Sequence, residues 1–384
     1  MHRLLFVLPA FRYGGTMTSF ENLLNLLNKE DYEIDVYAIV DEGDAKDRIA
    51  KNARIINSAR NHVNSKSVGC LSLRHIAKTV KDGLTKIGYD IGPYLIKRRA
   101  LHFNCEKYDA VIAFQEGYPT DFVANVKAKY KIAWIHSMYS RWGNAKTAKM
   151  YDKMNSIICV SETAKQDMLS LYHDNENRIH VVKNSLDKDA IVRLSKEGCL
   201  KKSDCFHIIS VGRIDPVKRF SMIPMIVKEL RDRGLRFKWS IVGGVADKRE
   251  YKTIVQKIRE DGLEDVVILE GQISNPYPAI KNSDLLVCLS SSETFNYTLT
   301  EARLLGVPVV TVDFPAAKEF VNDGIDGIIC SFEQMPDIIN SFITDVVFYE
   351  RRKEALKNFS YDNNTSIDVF NKLLPSASQR VKEL

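Results

Sequence analysis

Two glutamates eight positions apart, Glu293 and Glu301, stand in Ser290-Ser-Ser-Glu-Thr-Phe-Asn-Tyr-Thr-Leu-Thr-Glu-Ala302. Carboxylates so placed can accept hydrogen bonds from sugar hydroxyls or move protons. An apolar run, Leu285–Leu289, leads into the segment, and a helical stretch from Thr298 stops at Gly306-Val-Pro308 before a second apolar run, Val309–Val312. The unit therefore reads as strand, loop, helix, strand. Backbone N–H groups from Phe295 through Asn296 and Tyr297 to Thr298 would open the helix and suit an anion. A second candidate follows another apolar run, in Ser210-Val-Gly-Arg-Ile-Asp-Pro-Val-Lys-Arg219. Gly212 lets the chain turn closely, and Arg213 and Lys218 supply two cations on one loop, a fork and a point charge fit for a diphosphate. The Gly14-Gly15 pair follows the first strand and lets backbone approach a ligand, while His136 ends the strand Lys131–Ile135 and can bind a hydroxyl or act as an acid or base. Each feature alone also describes a solvated loop, a capped surface helix or a structural histidine.

The elements that would position these residues alternate. In the first half, strands are expected at Leu4–Leu8, Ile34–Val40, Asp109–Phe114, Lys131–Ile135, Ser156–Val160 and Arg178–Val182, with a helix at Thr16–Leu27 and two more near 73–86 and 92–103. A polar break at 197–204 precedes a restart: strand Phe206–Val211, helix Phe220–Arg231, strand Lys238–Val242, helix Arg249–Arg259, strand Val266–Leu269 and the glutamate unit. Such alternation implies parallel sheets covered on both faces. The pattern gives two doubly wound α/β domains, 1–186 and 187–360, and a partly helical tail, 361–384, expected to pack back on the first domain.

The chain has 384 residues, 45% hydrophobic and 27% charged, with a net charge of +6. No apolar run approaches the roughly 20 residues that span a bilayer. Leu4–Leu8, broken by Pro9, reads as a buried strand rather than the core of a signal peptide. Seven scattered cysteines without a Cys-x-x-Cys pair fit a reducing compartment and argue against structural zinc. Residues 45–150 hold 20 Lys and Arg against 7 Asp and Glu. That excess describes either a solvated face or a surface for an anionic partner. Within it, Tyr94-Leu-Ile-Lys-Arg-Arg-Ala-Leu-His-Phe103 mixes cations and apolar residues as an interfacial helix does, or as a packed helix with a charged outer side does. No basic motif interleaved with aromatics suggests nucleic acid.

In order, Gly14-Gly15, Ser210–Arg219, Glu293-x7-Glu301 and Glu301-Ala-Arg-Leu-Leu-Gly-Val-Pro-Val-Val310, with Asp323-Gly-Ile-Asp-Gly-Ile-Ile329, resemble the family 4 (group 1) retaining glycosyltransferases of the GT-B fold, of the kind found in bacterial polysaccharide synthesis. The resemblance implies two Rossmann-like domains facing a cleft, the first for the acceptor and the second for a nucleotide sugar. It implies that Arg213 and Lys218 hold the diphosphate, that Glu301 binds the ribose, and that Glu293 and the following turn (Phe295, Asn296, Tyr297, Thr298) meet the donor sugar. His136 and Gly14-Gly15 would reach in from the first domain. It further implies retained anomeric configuration, no metal and no cofactor beyond the sugar nucleotide, by family habit a UDP sugar. The acceptor would be a glycan or a lipid-linked sugar, at a cytoplasmic site and peripheral to the membrane if region 45–150 binds anionic lipid. The sequence departs from the family at Asn296, where glycine is usual; asparagine tolerates left-handed backbone, which would preserve the turn. A GT-B epimerase acting on a nucleotide sugar without acceptor, and a non-catalytic GT-B partner subunit, are the alternatives.

Overall fold

The computed structural model describes residues 1–56, 92–172, 176–197 and 204–375. They fall into two compact units, Met1–Leu186 together with the chain from Asn363 onward, and Asp187–Asp362.

Unit 1 is built on a seven-stranded sheet in the order β3-β2-β1-β4-β5-β6-β7. The strands are β1 (His2–Leu8), β2 (Tyr32–Ala38), β3 (Arg54–Ile55), β4 (Ala110–Ala113), β5 (Lys131–Ile135), β6 (Ser156–Cys159) and β7 (Ile179–Val181). All pairings are parallel, with Leu4 opposite both Ile34 and Ala110. Leu4–Leu8 thus lies in an interior strand, paired on both edges, its five side chains at most 1% exposed. Its unbroken apolar run follows from being covered on both faces. Helix Gly15–Leu26 covers one of them with Met17, Phe20, Leu23 and Leu24, and Phe20 packs 5.1 Å from Phe6 and 4.9 Å from Phe114.

Buried Asp35 on β2 accepts from Arg54 Nε at 2.7 Å, Arg54 Nη2 at 2.8 Å and Tyr108 Oη at 2.5 Å. Burial pushes its pKa up, but the Arg54 and Tyr108 hydrogen bonds outweigh this and hold it below the ordinary value. Helix Gly92–Leu101 docks through Gly92, Ile96 and Ala100 and leaves Tyr94, Leu95, Lys97, Arg98 and Leu101 exposed. The helix expected near 73–86 lies outside the described residues. The chain returns to unit 1 through helix Asn364–Leu373, whose Phe370 is fully buried 5.6 Å from Trp134 and 6.5 Å from Phe6. Asn363 fastens the return, accepting from Leu186 N–H at 3.0 Å and donating to Leu186 O at 2.8 Å.

Unit 2 repeats the plan with six parallel strands in the order β10-β9-β8-β11-β12-β13. They are β8 (Phe206–Val211), β9 (Phe237–Val242), β10 (Val267–Gly271), β11 (Leu285–Cys288), β12 (Val309–Val312) and β13 (Gly327–Cys330). In each sheet the first strand is interior, third in the order, and the winding reverses beside it, between β1 and β4 and between β8 and β11. Such reversals open a crevice at the carboxyl ends of the strands, where α/β folds bind ligands. The expected helix Phe220–Arg231 begins instead as a 3-10 turn, Phe220–Met222, after left-handed Arg219, and is α-helical over Ile223–Asp232.

Candidate active site

The crevice of unit 2 is bounded by the loops after β8 and β11. The first turns on Gly212 and Asp215. Asp215 Oδ1 accepts from the N–H groups of Val217 at 3.0 Å and Lys218 at 3.1 Å, a side-chain-closed turn that sends Lys218 back over Gly212. A Cβ on Gly212 would lie 3.1 Å from Lys218 Cε, so any larger residue would crowd the lysine stem. Behind Gly212 stands Gly243, at φ +154°, where a Cβ would fall 1.8 Å from the Gly212 carbonyl oxygen. No side chain fits there. The loop after β11 is stitched to the first by Ser291 N–H donating to Val217 O at 2.9 Å.

Across this seam Lys218 Nζ donates to Glu293 Oε1 at 2.6 Å, with each side chain about one-fifth exposed, 20% and 16%. Burial alone would lower the Lys218 pKa; the Glu293 carboxylate, then Cys288 and Asp215, reverse this and raise it. The lysine is therefore firmly charged, and with three donors it keeps hydrogen-bonding capacity beyond Glu293. Arg213, on the same loop, is 74% exposed and lies 3.7 Å from Asp215.

The second glutamate sits in helix Tyr297–Leu304. Glu301 is 7% exposed and accepts from Tyr277 Oη at 3.1 Å. Burial pushes its pKa up to about 7, with Tyr277 opposing the rise. Two carboxylates on one short segment thus have different surroundings: Glu293 meets a cation, Glu301 a neutral hydroxyl.

Asn296 is the helix N-cap: its Oδ1 accepts from Leu299 N–H at 3.1 Å and Thr298 Oγ1 at 2.8 Å, and its Nδ2 donates to Cys288 Sγ at 3.2 Å. Its φ is −107°, so the expected left-handed geometry is not adopted. The side chain closes the turn, where the family's glycine would do so with backbone freedom. Phe295 spends its ring on Tyr297, Phe320 and Tyr361, at 4.8, 5.1 and 6.3 Å. Any role toward a ligand falls to its backbone.

In unit 1, Gly14 precedes helix Gly15–Leu26, and a Cβ on either glycine would meet nothing within 4 Å, which leaves open space at the helix start. His136 follows β5. Its ring lies 4.8 Å from Phe114 and stacks on Trp134 at 6.3 Å, and burial depresses its pKa to about 3. The backbone N–H of His136 donates to Glu116 Oε2 at 3.1 Å, while Ser137 Oγ donates to Glu116 Oε1 and accepts from Trp142 Nε1 at 3.0 Å.

The fold therefore joins Gly212, Lys218 and Glu293, gathers Asn296 and Thr298 at one helix start, and seats Glu301 on the same helix. Gly14, Gly15 and His136 belong to the other unit. Tyr277, Asp215 and Glu116 are further residues of these sites that sequence patterning does not single out. The Asp-Pro pair at 215–216 was a readable turn signal for one of them; nothing local marked Tyr277 or Glu116.

The family description "Glycosyl transferases group 1" matches residues 193–359, and "Glycosyltransferase Family 4" matches 13–190. Among curated relatives, an uncharacterized 41.2 kDa protein in the cps region of Klebsiella pneumoniae is 22% identical over 93% of this chain and 94% of its own. The N-acetylgalactosamine-N,N'-diacetylbacillosaminyl-diphospho-undecaprenol 4-alpha-N-acetylgalactosaminyltransferase of Campylobacter jejuni is 23% identical over 66% of this chain and 68% of its own. With some other relatives, such as the D-inositol 3-phosphate glycosyltransferase of Mycolicibacterium smegmatis, the match spans 50% of their length. Among solved structures, Anabaena HepE in complex with UDP and glucose superposes with a TM-score of 0.71 at 16% identity, over 97% of this chain and 99% of that one. Two parallel-sheet units with a lysine–glutamate seam at one switch point, matched nearly end to end by two glycosyltransferase family descriptions, make this chain a member of the group 1, family 4 glycosyltransferases of the GT-B fold.

Proposed function

We propose that the chain moves a sugar from a nucleoside-diphosphate sugar, UDP-linked, to a glycan or lipid-linked acceptor in cell-surface polysaccharide synthesis, with retained anomeric configuration and without a metal. The observation that carries this reading is the 2.6 Å contact between Lys218 and Glu293 across the switch point, with Glu301 on the helix that follows. Lys218 and Arg213 bind the diphosphate, Glu301 the ribose, and Glu293 with the turn from Phe295 to Thr298 the donor sugar. Unit 2 is the donor side and unit 1 the acceptor side; Gly14 and Gly15 are assigned to donor binding and His136 to catalysis. HepE carrying UDP and glucose supports the choice of nucleotide. The undecaprenol-linked substrate named for the Campylobacter relative and the cps region of the Klebsiella relative support the choice of acceptor and pathway.

In the transfer, the acceptor oxygen bonds to the anomeric carbon as the carbon–phosphate oxygen bond breaks on the same face. The hydroxyl proton passes to the leaving phosphate oxygen. Negative charge grows on the diphosphate, and fixed cations with a helix start aimed there stabilise it. With Lys218 held charged and Arg213 five positions before it on the same loop, a divalent ion is not needed. Burial keeps His136 neutral near pH 7, so its part is hydrogen bonding rather than charge.

Among the described residues no helix is long and apolar enough to cross a membrane. Exposed Tyr94, Leu95 and Leu101 beside Lys97 and Arg98 suit contact with an anionic bilayer at the acceptor side. Pelleting with phosphatidylglycerol vesicles at low salt is the check; a protein that stays in the supernatant removes this part of the proposal.

The reading is tested by a thermal-shift screen of UDP, GDP and ADP sugars, followed by product analysis with and without acceptor. Arg213→Ala and Glu301→Ala should each abolish transfer in folded protein. Wild-type rates in both, or conversion of the sugar nucleotide with no acceptor present, would overturn it.

A further inference from the structure

A buried carboxylate that is to receive hydroxyls must be held in one orientation, because its terminal torsion is otherwise broad. Around Glu301 no cation does this among the described residues; the side-chain partner that reaches it is Tyr277. We propose that Tyr277 is a positioning residue for donor recognition, its hydroxyl fixing Glu301 Oε1 so that the second carboxylate oxygen is presented to the vicinal hydroxyls of a nucleoside ribose. The inference rests on the reading of Glu301 as the ribose contact and adds the group that makes that contact directional.

Tyr277 is itself anchored. Its N–H donates to Asn275 Oδ1 at 3.2 Å, and Asn275 Nδ2 donates to Leu194 O at 2.9 Å. Pro276 and Pro278 flank it and fix the φ angles of the N-cap and of the second residue of the short helix Tyr277–Lys281. A chain of hydrogen bonds therefore runs from helix Lys188–Leu194, the first element of unit 2, through Asn275 and Tyr277 to Glu301. Along it the backbone of Tyr277 is set before its hydroxyl meets the carboxylate. The same hydroxyl favours the ionised acceptor over the protonated acid, opposing the effect of burial. Glu301 thus gains from Tyr277 both a fixed plane and more of the charge state that accepts two hydroxyl donors.

The test uses the full chain and calorimetric binding of UDP and 2′-deoxy-UDP between pH 5.5 and 8.5, with GDP, ADP and their 2′-deoxy forms run alongside because the base is open. In wild type the ribonucleotide should bind about tenfold more tightly than its deoxy form, the scale of one hydrogen bond to a charged group. Affinity should rise with pH through the Glu301 titration. In Glu301→Ala the two nucleotides should bind alike. Tyr277→Phe keeps the ring and removes one oxygen: discrimination should shrink several-fold without vanishing, and the midpoint of the pH dependence should move upward. Asn275→Ala, which loosens Tyr277 without touching Glu301, should shift discrimination in the same direction by less, and gives a second route if Tyr277→Phe folds poorly. Wild-type discrimination and midpoint in folded Tyr277→Phe, or equal weakening of both nucleotides with an unmoved midpoint, would overturn the positioning role. Discrimination persisting in Glu301→Ala, or no binding of any of the diphosphates, would instead remove the ribose reading and this inference with it.

Discussion

Glu301→Gln should make the ligand-free protein more stable at alkaline pH and much less so at acidic pH. Glu301 is 7% exposed, and its pKa rises from an ordinary 4.5 to about 7 because burial penalises the charged form. The unfolded chain therefore gives up this proton near pH 4.5 and the folded chain near pH 7. Between those values the folded state binds more protons, so its stability falls as pH rises, and above pH 7 the full cost is present. The interval from 4.5 to about 7, at about 1.4 kcal/mol per unit, makes that cost about 3 kcal/mol. Glutamine keeps the shape and an acceptor for Tyr277 but never ionises. For a unit of this size, about 3 kcal/mol corresponds to a rise of roughly 6–12 °C in melting temperature. Differential scanning calorimetry at pH 5 and pH 8.5, on wild type and variant without nucleotide, measures it. The gain should appear in the transition that contains unit 2, in full at pH 8.5 and only in small part at pH 5. An equal gap between the two proteins at both pH values would refute the reasoning, because a merely steric benefit carries no pH dependence. The same substitution should weaken nucleotide binding, so stability and function would move in opposite directions.

Lys218→Met should lower the transfer rate about 10²–10³-fold, the scale of losing one oriented group at a developing charge. It should also destabilise the fold by about 2 kcal/mol through the stranded Glu293 carboxylate; adding Glu293→Gln should restore the melting temperature and not the rate, and recovery of both would break the assignment. Because burial holds His136 to about 3, the pH–rate profile between pH 5 and 9 should contain no limb that disappears in His136→Gln; a limb lost in that variant would show a charged imidazole at work. Asp35→Ala should cost about 3 kcal/mol by urea denaturation, since it leaves the hydroxyl of buried Tyr108 without its acceptor, and should leave nucleotide affinity untouched; a change in affinity would contradict its purely architectural place.

The alternation of strands and helices was legible because parallel strands buried on both faces must be continuously apolar, as Leu4–Leu8 and Leu285–Cys288 are. What one face of a strand cannot announce was lost: β3 is two residues long, and β2 begins at Tyr32, two residues before its apolar run. Lys218 and Glu293 were each recognisable as loop residues past a strand, but their contact, 75 positions apart, depends on β8 lying beside β11. Strand order is a property of the assembled sheet, not of a local pattern. Tyr277 was illegible for the same reason, since a tyrosine between two prolines reads only as a turn. At Asn296 the residue type suggested backbone freedom, while the fold uses its side chain as a cap, and both uses are common to asparagine.

The return of the last described helix to unit 1 makes the two halves topologically unequal. Unit 2 is one uninterrupted stretch, Asp187–Asp362, whereas unit 1 is written in two pieces that meet only when the chain comes back. In construction terms unit 2 is an insertion between Leu186 and Asn363, and those two residues clasp each other by paired hydrogen bonds at the point of insertion. A nascent chain emerging from the ribosome would therefore complete unit 2 before unit 1 acquires Phe370, the residue that seals the aromatic core around Phe6 and Trp134. A stop codon before Asn364 would spare unit 2 and leave unit 1, begun first, unable to finish.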